Sequence, residues 1–227
     1  ASAAPAKLPA KLLRLIANEN PYGPSPAARA AAQRAVADGW KYALRETGAL
    51  KKLIAEHEGV KTSHVMISAG SSEALRVTAM VYGRDGGRIV TANPTFSFLS
   101  TYARNIGCEV DEVPLDQEMK HDLDAMAAAI RDDTRLIYVC NPNNPTGTML
   151  DGAELSAFID EVTVKAPVLV DEAYLDLWDD MAKHNAVESV RAGKPVIVTR
   201  TFSKLHGMAG MRVGYAQAVY GREEIDA

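Results

Sequence analysis

The sequence predicts an α/β fold built on a mainly parallel, seven-stranded sheet with helices on both faces, and three observations carry that expectation. Short β-branched runs alternate with longer helical patterns along almost the whole chain, the rhythm of βαβ units. Several of those runs are apolar at consecutive positions, as strands covered on both faces must be. With 227 residues, 47% of them hydrophobic and 24% charged, the chain can bury a sizeable core.

Seven runs read as strands: HVMIS (64–68), RIVT (88–91), EVDEVP (109–114), RLIYVC (135–140), PVLVD (167–171), PVIVTR (195–200) and RVGYAQA (212–218). Helical patterns fill the gaps. In SPAARAAAQRAVADG, Ser25 offers an N-cap, Pro26 suits the first helical position and Gly39 stands just past the end. TGALKKLIAEHEG repeats the arrangement with Thr47 and Gly59. Before both, NENPYGPSP is rich in Asn, Pro and Gly and reads as an ordered turn or arm. Apart from the Ala-rich start there is no low-complexity tract, no repeat and no linker dividing two domains.

The composition excludes several function classes. A formal net charge of −4 with scattered Lys and Arg gives no basic field for nucleic acid. Cys108 and Cys140 lie far apart with no CxxC or Cys/His spacing, so they indicate neither a metal site nor a disulfide and read as buried small hydrophobes. No run of 18 apolar residues is present to span a membrane. The start lacks an initiator Met and a hydrophobic signal core, so the expectation is a cytoplasmic protein, with export after signal cleavage as the alternative.

In open α/β sheets ligands bind beyond the carboxyl ends of strands. Polar residues that directly follow apolar runs therefore mark the candidate site, and four places qualify. In SAGSSEAL (68–75) a Gly/Ser turn opens a helix, where the N–H groups of Ser71 and Ser72 and the helix dipole would hold an anion. VLVDEAY (168–174) puts Asp171 at a strand end, where a carboxylate needs a cation or donors. CNPNNPTG (140–147) makes a rigid turn that projects Asn143 and Asn144. TFSKLHGMAGMR (201–212) offers Thr201, Ser203, Lys204 and, eight residues on, Arg212. Each has an ordinary structural reading when taken alone: a helix cap, a loop brace, a plain turn, a solvated lysine. Together they ask for a ligand with a phosphate, a protonated ring nitrogen for Asp171, a ring oxygen for Asn144 and Tyr174, and a carbonyl for Lys204. Pyridoxal 5′-phosphate (PLP) carries all four.

This set, in this order, resembles the fold type I aminotransferases of class I/II, and NENPYGPSP with TFSKLHGMAGMRVGY is most similar to the histidinol-phosphate aminotransferases. The resemblance runs from Asn18 to about Ala216. It implies an enzyme that moves an amino group between an amino donor, L-histidinol phosphate among them, and a 2-oxo acid such as 2-oxoglutarate. Lys204 would hold PLP as a Schiff base and shuttle the proton between substrate and cofactor. Asp171 would keep the pyridine nitrogen protonated, with Tyr174 and Asn144 on the ring oxygen and Phe96 stacked on the ring face. Ser71, Ser72, Thr201, Ser203 and Arg212 would bind the phosphate.

The resemblance further implies a homodimer in which Tyr42 reaches the neighbouring subunit's cofactor phosphate, and an arm in which Asn20 and Tyr22 cover the substrate. His206, two residues past Lys204, reads as structural. Residues 1–40 would form the arm and first helix, and residues 41–227 the PLP-binding large domain. Family members continue into a smaller C-terminal domain carrying an arginine for the substrate's carboxylate. This sequence stops at YGREEIDA, where Arg222 matches no such motif, so the large domain is expected without its C-terminal partner. Two other readings use the same residues: another fold type I PLP enzyme (decarboxylase, lyase or oxidase), and a non-catalytic cofactor-binding fragment. A dinucleotide-binding module is disfavoured, since no GxGxxG follows a predicted strand.

Overall fold

The computed structural model describes residues 15–219; the Ala-rich start and Arg222 lie outside them. All seven predicted strands form, as β1 (Val65–Ser68), β2 (Arg88–Asn93), β3 (Glu109–Pro114), β4 (Thr134–Cys140), β5 (Val168–Asp171), β6 (Val196–Thr201) and β7 (Gly214–Ala218). They make one sheet in the order β1-β7-β6-β5-β4-β2-β3. Neighbours from β3 to β6 run parallel. β7 alone is antiparallel to both of its partners, β1 and β6. Because it runs backwards, its first residues lie at the same edge where the other strands end.

The helices are α1 (Pro26–Ala35), α2 (Leu44–Glu58), α3 (Ser71–Gly83), α4 (Phe98–Asn105), α5 (Leu123–Ala128), α6 (Gly152–Val162), α7 (Met181–His184) and α8 (Val187–Arg191). Ser25 caps α1 as expected, its hydroxyl accepting from the Ala28 N–H at 3.2 Å behind Pro26. Gly59 ends α2 in the left-handed region at φ 63°, where glycine has no Cβ to clash. Two expected boundaries move. Gly39 follows a short 3₁₀ turn at φ −61°, so no left-handed cap is required of it. Thr47 lies inside α2, because its N–H already donates to the Ala43 carbonyl and closes the first turn. β7 also starts two residues late, since Arg212 adopts φ 53° and leaves the strand path.

Strand alternation divides the core. Ile137 and Val139 of β4 and Val168 and Val170 of β5 pack with α6 and α8 on one face. Leu136, Tyr138 and Cys140 with Leu169 pack with α3 and α4 on the other. Burial of these side chains at roughly 25 cal/mol per Å² of apolar surface is the main force holding helices to sheet. Period 2 then fixes what happens at the strand ends. Asp171, Thr199 and Thr201 continue the α3 face, and Glu172 and Arg200 continue the opposite one.

On that opposite face lies a buried charge cluster. Arg200, 2% exposed, donates from Nε to Glu172 at 2.9 Å and from Nη1 to Glu58 at 2.8 Å. Tyr215, the register partner of Arg200 on β7, donates its hydroxyl to Glu58 at 3.2 Å. Glu172 also accepts the Ala186 N–H at 2.6 Å, and Arg191 donates to the Glu58 carbonyl from two nitrogens. One guanidinium thus ties α2, β5 and β6 together. Burial pushes the Glu172 carboxyl above its ordinary range, and the Arg200 charge opposes that push.

Arg200→Met removes the guanidinium that both carboxylates share, and it should destabilise the chain by about 3–5 kcal/mol in urea unfolding at neutral pH. The raised Glu172 carboxyl binds a proton more readily folded than unfolded. The deficit in the variant should therefore shrink as the pH is lowered.

Candidate active site

A cavity of about 480 Å³ opens at the edge where β1, β4, β5 and β6 end and β7 begins, within the roughly 300–1,000 Å³ common for small-molecule sites. Nine predicted residues line it: Ser71, Ser72, Phe96, Asn144, Asp171, Tyr174, Thr201, Ser203 and Lys204, with Arg212 as a tenth. A larger cleft of about 540 Å³ lies elsewhere, around Asp116, Glu118, Glu154 and His121. Among the described residues no three His, Cys, Asp or Glu side chains are placed to hold a metal, there or elsewhere. Burial there holds His121 neutral, its pKa pushed down to about 4.

Asp171 forms the floor of the smaller cavity at 1% exposure. Desolvation pushes its carboxyl up to about 6, and hydrogen bonds from Thr199, Tyr138 and the Ala173 N–H, with the Lys204 charge, work in the other direction. Thr199 Oγ1 donates to Oδ1 at 2.9 Å and the Tyr138 hydroxyl to Oδ2 at 3.4 Å. Neither residue was singled out from sequence. The alternation that puts Thr201 in the site puts Thr199 on the same face two residues earlier, and that signal was available.

The predicted anion site is a cradle without side chains at its closest points. Gly70, at φ 77°, precedes α3, and a Cβ there would stand 2.2 Å from Arg212 Nη2. A Cβ on Gly214 would stand 2.7 Å from the Ser71 nitrogen. These glycines let Arg212 and the start of β7 reach the N-terminus of α3, whose first N–H groups have no partner inside the helix. Arg212 donates to the Ala69 carbonyl at 3.0 Å, to the Ala209 carbonyl at 2.9 Å and to Ser203 Oγ at 3.4 Å. Thr201 Oγ1 donates to Ser203 Oγ at 2.9 Å. Glu73 braces the turn by accepting the Ala69 N–H at 2.5 Å.

Lys204 faces Asp171 from the loop after β6. Its Nζ donates to the Ala17 carbonyl at 2.8 Å and lies 5.1 Å from the centre of the Tyr174 ring. The Tyr174 hydroxyl accepts from Asn18 Nδ2 at 3.0 Å. Residues 17–19, at the start of the expected arm, thus form a strap along the cavity rim, with Ala17 and Asn18 at φ 59° and 51°. Asn20 anchors the strap by donating to the Leu205 carbonyl at 2.8 Å. Gly207 packs on the Gly23 backbone so closely that a Cβ would stand 2.3 Å from it.

The remaining predicted residues fall outside the cavity. Tyr22 and Tyr42 stand at 90% and 94% exposure, and Asn20 lies beneath the strap with its side chain used in anchoring. Asn143 and Asn144 divide their work. Asn143 is buried, accepting from Thr95 at 2.6 Å and donating to the Pro94 carbonyl at 3.1 Å, so that it braces the turn; Asn144 lines the cavity. His206 pairs with Asp176 at 3.6 Å and tilts against Phe202, away from the chemistry. Both cysteines are free and buried. Among the described residues no helix is long and apolar enough to cross a membrane.

Comparison with known proteins places this geometry. The model of "Aminotransferase class I and II" matches residues 10–224. The histidinol-phosphate aminotransferase of Moorella thermoacetica is 44% identical over 209 residues, covering 92% of this chain and 54% of that protein. The aromatic amino acid aminotransferase of Rhodococcus jostii is 39% identical over 218 residues, covering 94% and 60%. In three dimensions, the histidinol-phosphate aminotransferase of Sinorhizobium meliloti, solved in complex with pyridoxal-5′-phosphate, superposes with a TM-score of 0.83 at 30% identity, covering 89% of this chain and 55% of that one. The chain therefore spans little more than half the length of these relatives. Matched over all of its described residues, the chain belongs to the class I and II aminotransferase family.

Proposed function

We propose that this chain is the cofactor-binding part of a PLP-dependent aminotransferase of the histidinol-phosphate type. It would move an amino group between an amino donor and a 2-oxo acid. The observation that carries this reading is the convergence of a buried carboxylate, a lysine amine and an anion cradle in one cavity. The donor set fits PLP: Asp171 for the ring nitrogen, Lys204 for the aldehyde carbon, and a cradle with glycine at its closest points for the phosphate. The relatives named above support the donor class, with histidinol phosphate favoured by the 44% identical protein and aromatic amino acids as the second choice.

When bound, PLP supplies an electron-accepting ring that stabilises negative charge at the donor's Cα. Everything else falls to the chain. Arg212, Ser203, Thr201, Ser71 and Ser72 hold the phosphate by charge-assisted and backbone hydrogen bonds. Asp171 would accept the ring N–H and hold that proton in place. Tyr174 and Asn144, which line the cavity, would serve the ring oxygen, and Phe96 would pack on the ring. Lys204 Nζ would be the point of attachment, and its amine is the base that would take the proton from the donor's Cα. The strap at residues 17–19 limits water at this rim.

Tyr42 and Tyr22, both exposed, are assigned to a partner subunit's cofactor and to the substrate, in a cytoplasmic homodimer. The division into an arm and first helix (1–40) and a large domain (41–227) is kept for the described residues, 15–40 and 41–219; residues 1–14 and 220–227 lie outside them.

Incubation with PLP, borohydride reduction and peptide mapping should place the label on Lys204. Label on a different lysine would overturn the assignment.

Asp171 gives a second test with a sign. Its carboxyl is raised to about 6 from an ordinary 3.8, so the folded chain binds the proton more tightly than the unfolded one. Stability is thus lost as pH rises through that window, by up to about 3 kcal/mol at one unit per 1.36 kcal/mol. Asp171→Asn should stabilise the cofactor-free chain at pH 7.5, with the gain fading near pH 4, and should slow the amino-donor half-reaction by about 100-fold or more. A destabilised variant with normal rates would make the carboxylate purely structural.

A further inference from the structure

We propose that Thr199 is a positioning residue for the cofactor site: with Tyr138 it fixes the orientation and the negative charge of the Asp171 carboxylate. The inference rests on the aminotransferase reading for its consequence, and on the geometry alone for its cause.

Asp171 and Thr199 are direct partners in the parallel register of β5 and β6. The Thr199 hydroxyl is fully buried and has its bond to Asp171 Oδ1 at 2.9 Å. Tyr138, on β4 at the other side of β5, reaches Oδ2 at 3.4 Å. Each oxygen therefore receives one hydroxyl, from strands that flank Asp171 on both sides. A carboxylate held from both sides cannot rotate about its Cβ–Cγ bond without breaking a buried hydrogen bond. Hydrogen bonds to the ionised form favour it, where desolvation alone favours the acid. Thr199 cannot drift, because Arg200 beside it is clamped by Glu172 and Glu58 on the opposite face.

The groups facing Asp171 are few. From β4 come the Tyr138 phenol and the Cys140 thiol, both raised by burial, the thiol to about 12. Lys204 faces it from the loop after β6, and Arg212 lines the same cavity. Tyr138 and Cys140 keep their protons through neutral pH, so titration in the acid range belongs to Asp171. Losing the Thr199 hydroxyl makes the carboxylate harder to form. The acid limit of pyridinium pairing then moves to higher pH.

The test follows the Asp171 carboxyl carbon by NMR in the cofactor-free chain, and in parallel the pH dependence of PLP affinity. Thr199→Val keeps the shape of the side chain and removes its hydroxyl. It should raise the Asp171 midpoint by about one pH unit, a tenfold change in ionisation constant, and shift the acid limb of PLP affinity equally. Thr199→Ser should restore both to within a few tenths of a unit, and Tyr138→Phe, at the longer distance, should give a smaller shift of the same sign. Thr199→Val and Tyr138→Phe both titrating like the parent would overturn the proposal, as would a serine variant that shifts as far as valine. If the carboxyl midpoints move as expected but the parent chain binds no PLP at any pH, the positioning role stands and the functional reading falls.

Discussion

One guanidinium shared by two buried carboxylates is the constraint on which the site depends. Arg200, held by Glu172 and Glu58, locks the ends of β5 and β6 in register at the point where backbone pairing stops. Because side chains alternate, locking Glu172 and Arg200 on one face also locks Asp171, Thr199 and Thr201 on the other. An isolated charge in that position would be costly to desolvate. A guanidinium with hydrogen bonds to both carboxylates offsets much of the cost, and in return it gives the strand ends a single arrangement.

The antiparallel strand is the second determinant. If β7 ran with its neighbours, its first residues would sit at the far edge, and Arg212 would have no path to the N-terminus of α3. Running backwards between β1 and β6, it brings Arg212, Thr201 and Ser71 to one point. The contact is made by absence of side chains: Gly70 and Gly214 leave backbone against backbone, and the guanidinium fills the gap. Arg212 adopts the left-handed backbone at φ 53°, a conformation that costs an L-residue energy and that clusters at functional sites.

Charge inside the cavity is arranged by depth. At the floor, Asp171 is wholly desolvated and surrounded by hydroxyls. Near the rim, Lys204 and Arg212 satisfy their donors with backbone carbonyls of Ala17, Ala69 and Ala209. A ligand with an anionic end and a cationic ring nitrogen complements that gradient. Its anion would meet donors at the helix terminus and its cation the buried carboxylate, each in a low dielectric where such contacts count most.

Much of this was legible in the chain. Short β-branched runs announced all seven strands, and several were apolar at consecutive positions because burial on two faces leaves that mark on composition. The rule that ligands bind beyond strand ends picked out Asp171, Ser203, Lys204 and Arg212, since each directly follows an apolar run or lies in the loop after one. Helix boundaries were less legible: at Thr47 and Gly39 the cap residues were present but backbone hydrogen bonds closed the turns elsewhere. The strap at residues 17–19 was legible only as the start of an arm: the Ala17 carbonyl that meets Lys204 is a group every residue carries, and the Asn18 amide meets Tyr174 only across 156 positions.

The sequence by itself determined which residues could form strands, which face each would present and which polar groups stood ready at the ends. It did not contain the neighbours. Glu58 meets Arg200 across 142 positions, Asn18 meets Tyr174 across 156, and Tyr138 meets Asp171 across 33. Periodicity is a local property and says nothing of which strand lies beside which. Only the assembled sheet, with β5 seated between β4 and β6, decided that a threonine and a tyrosine would hold the carboxylate, because contacts of that separation exist only when the whole core closes.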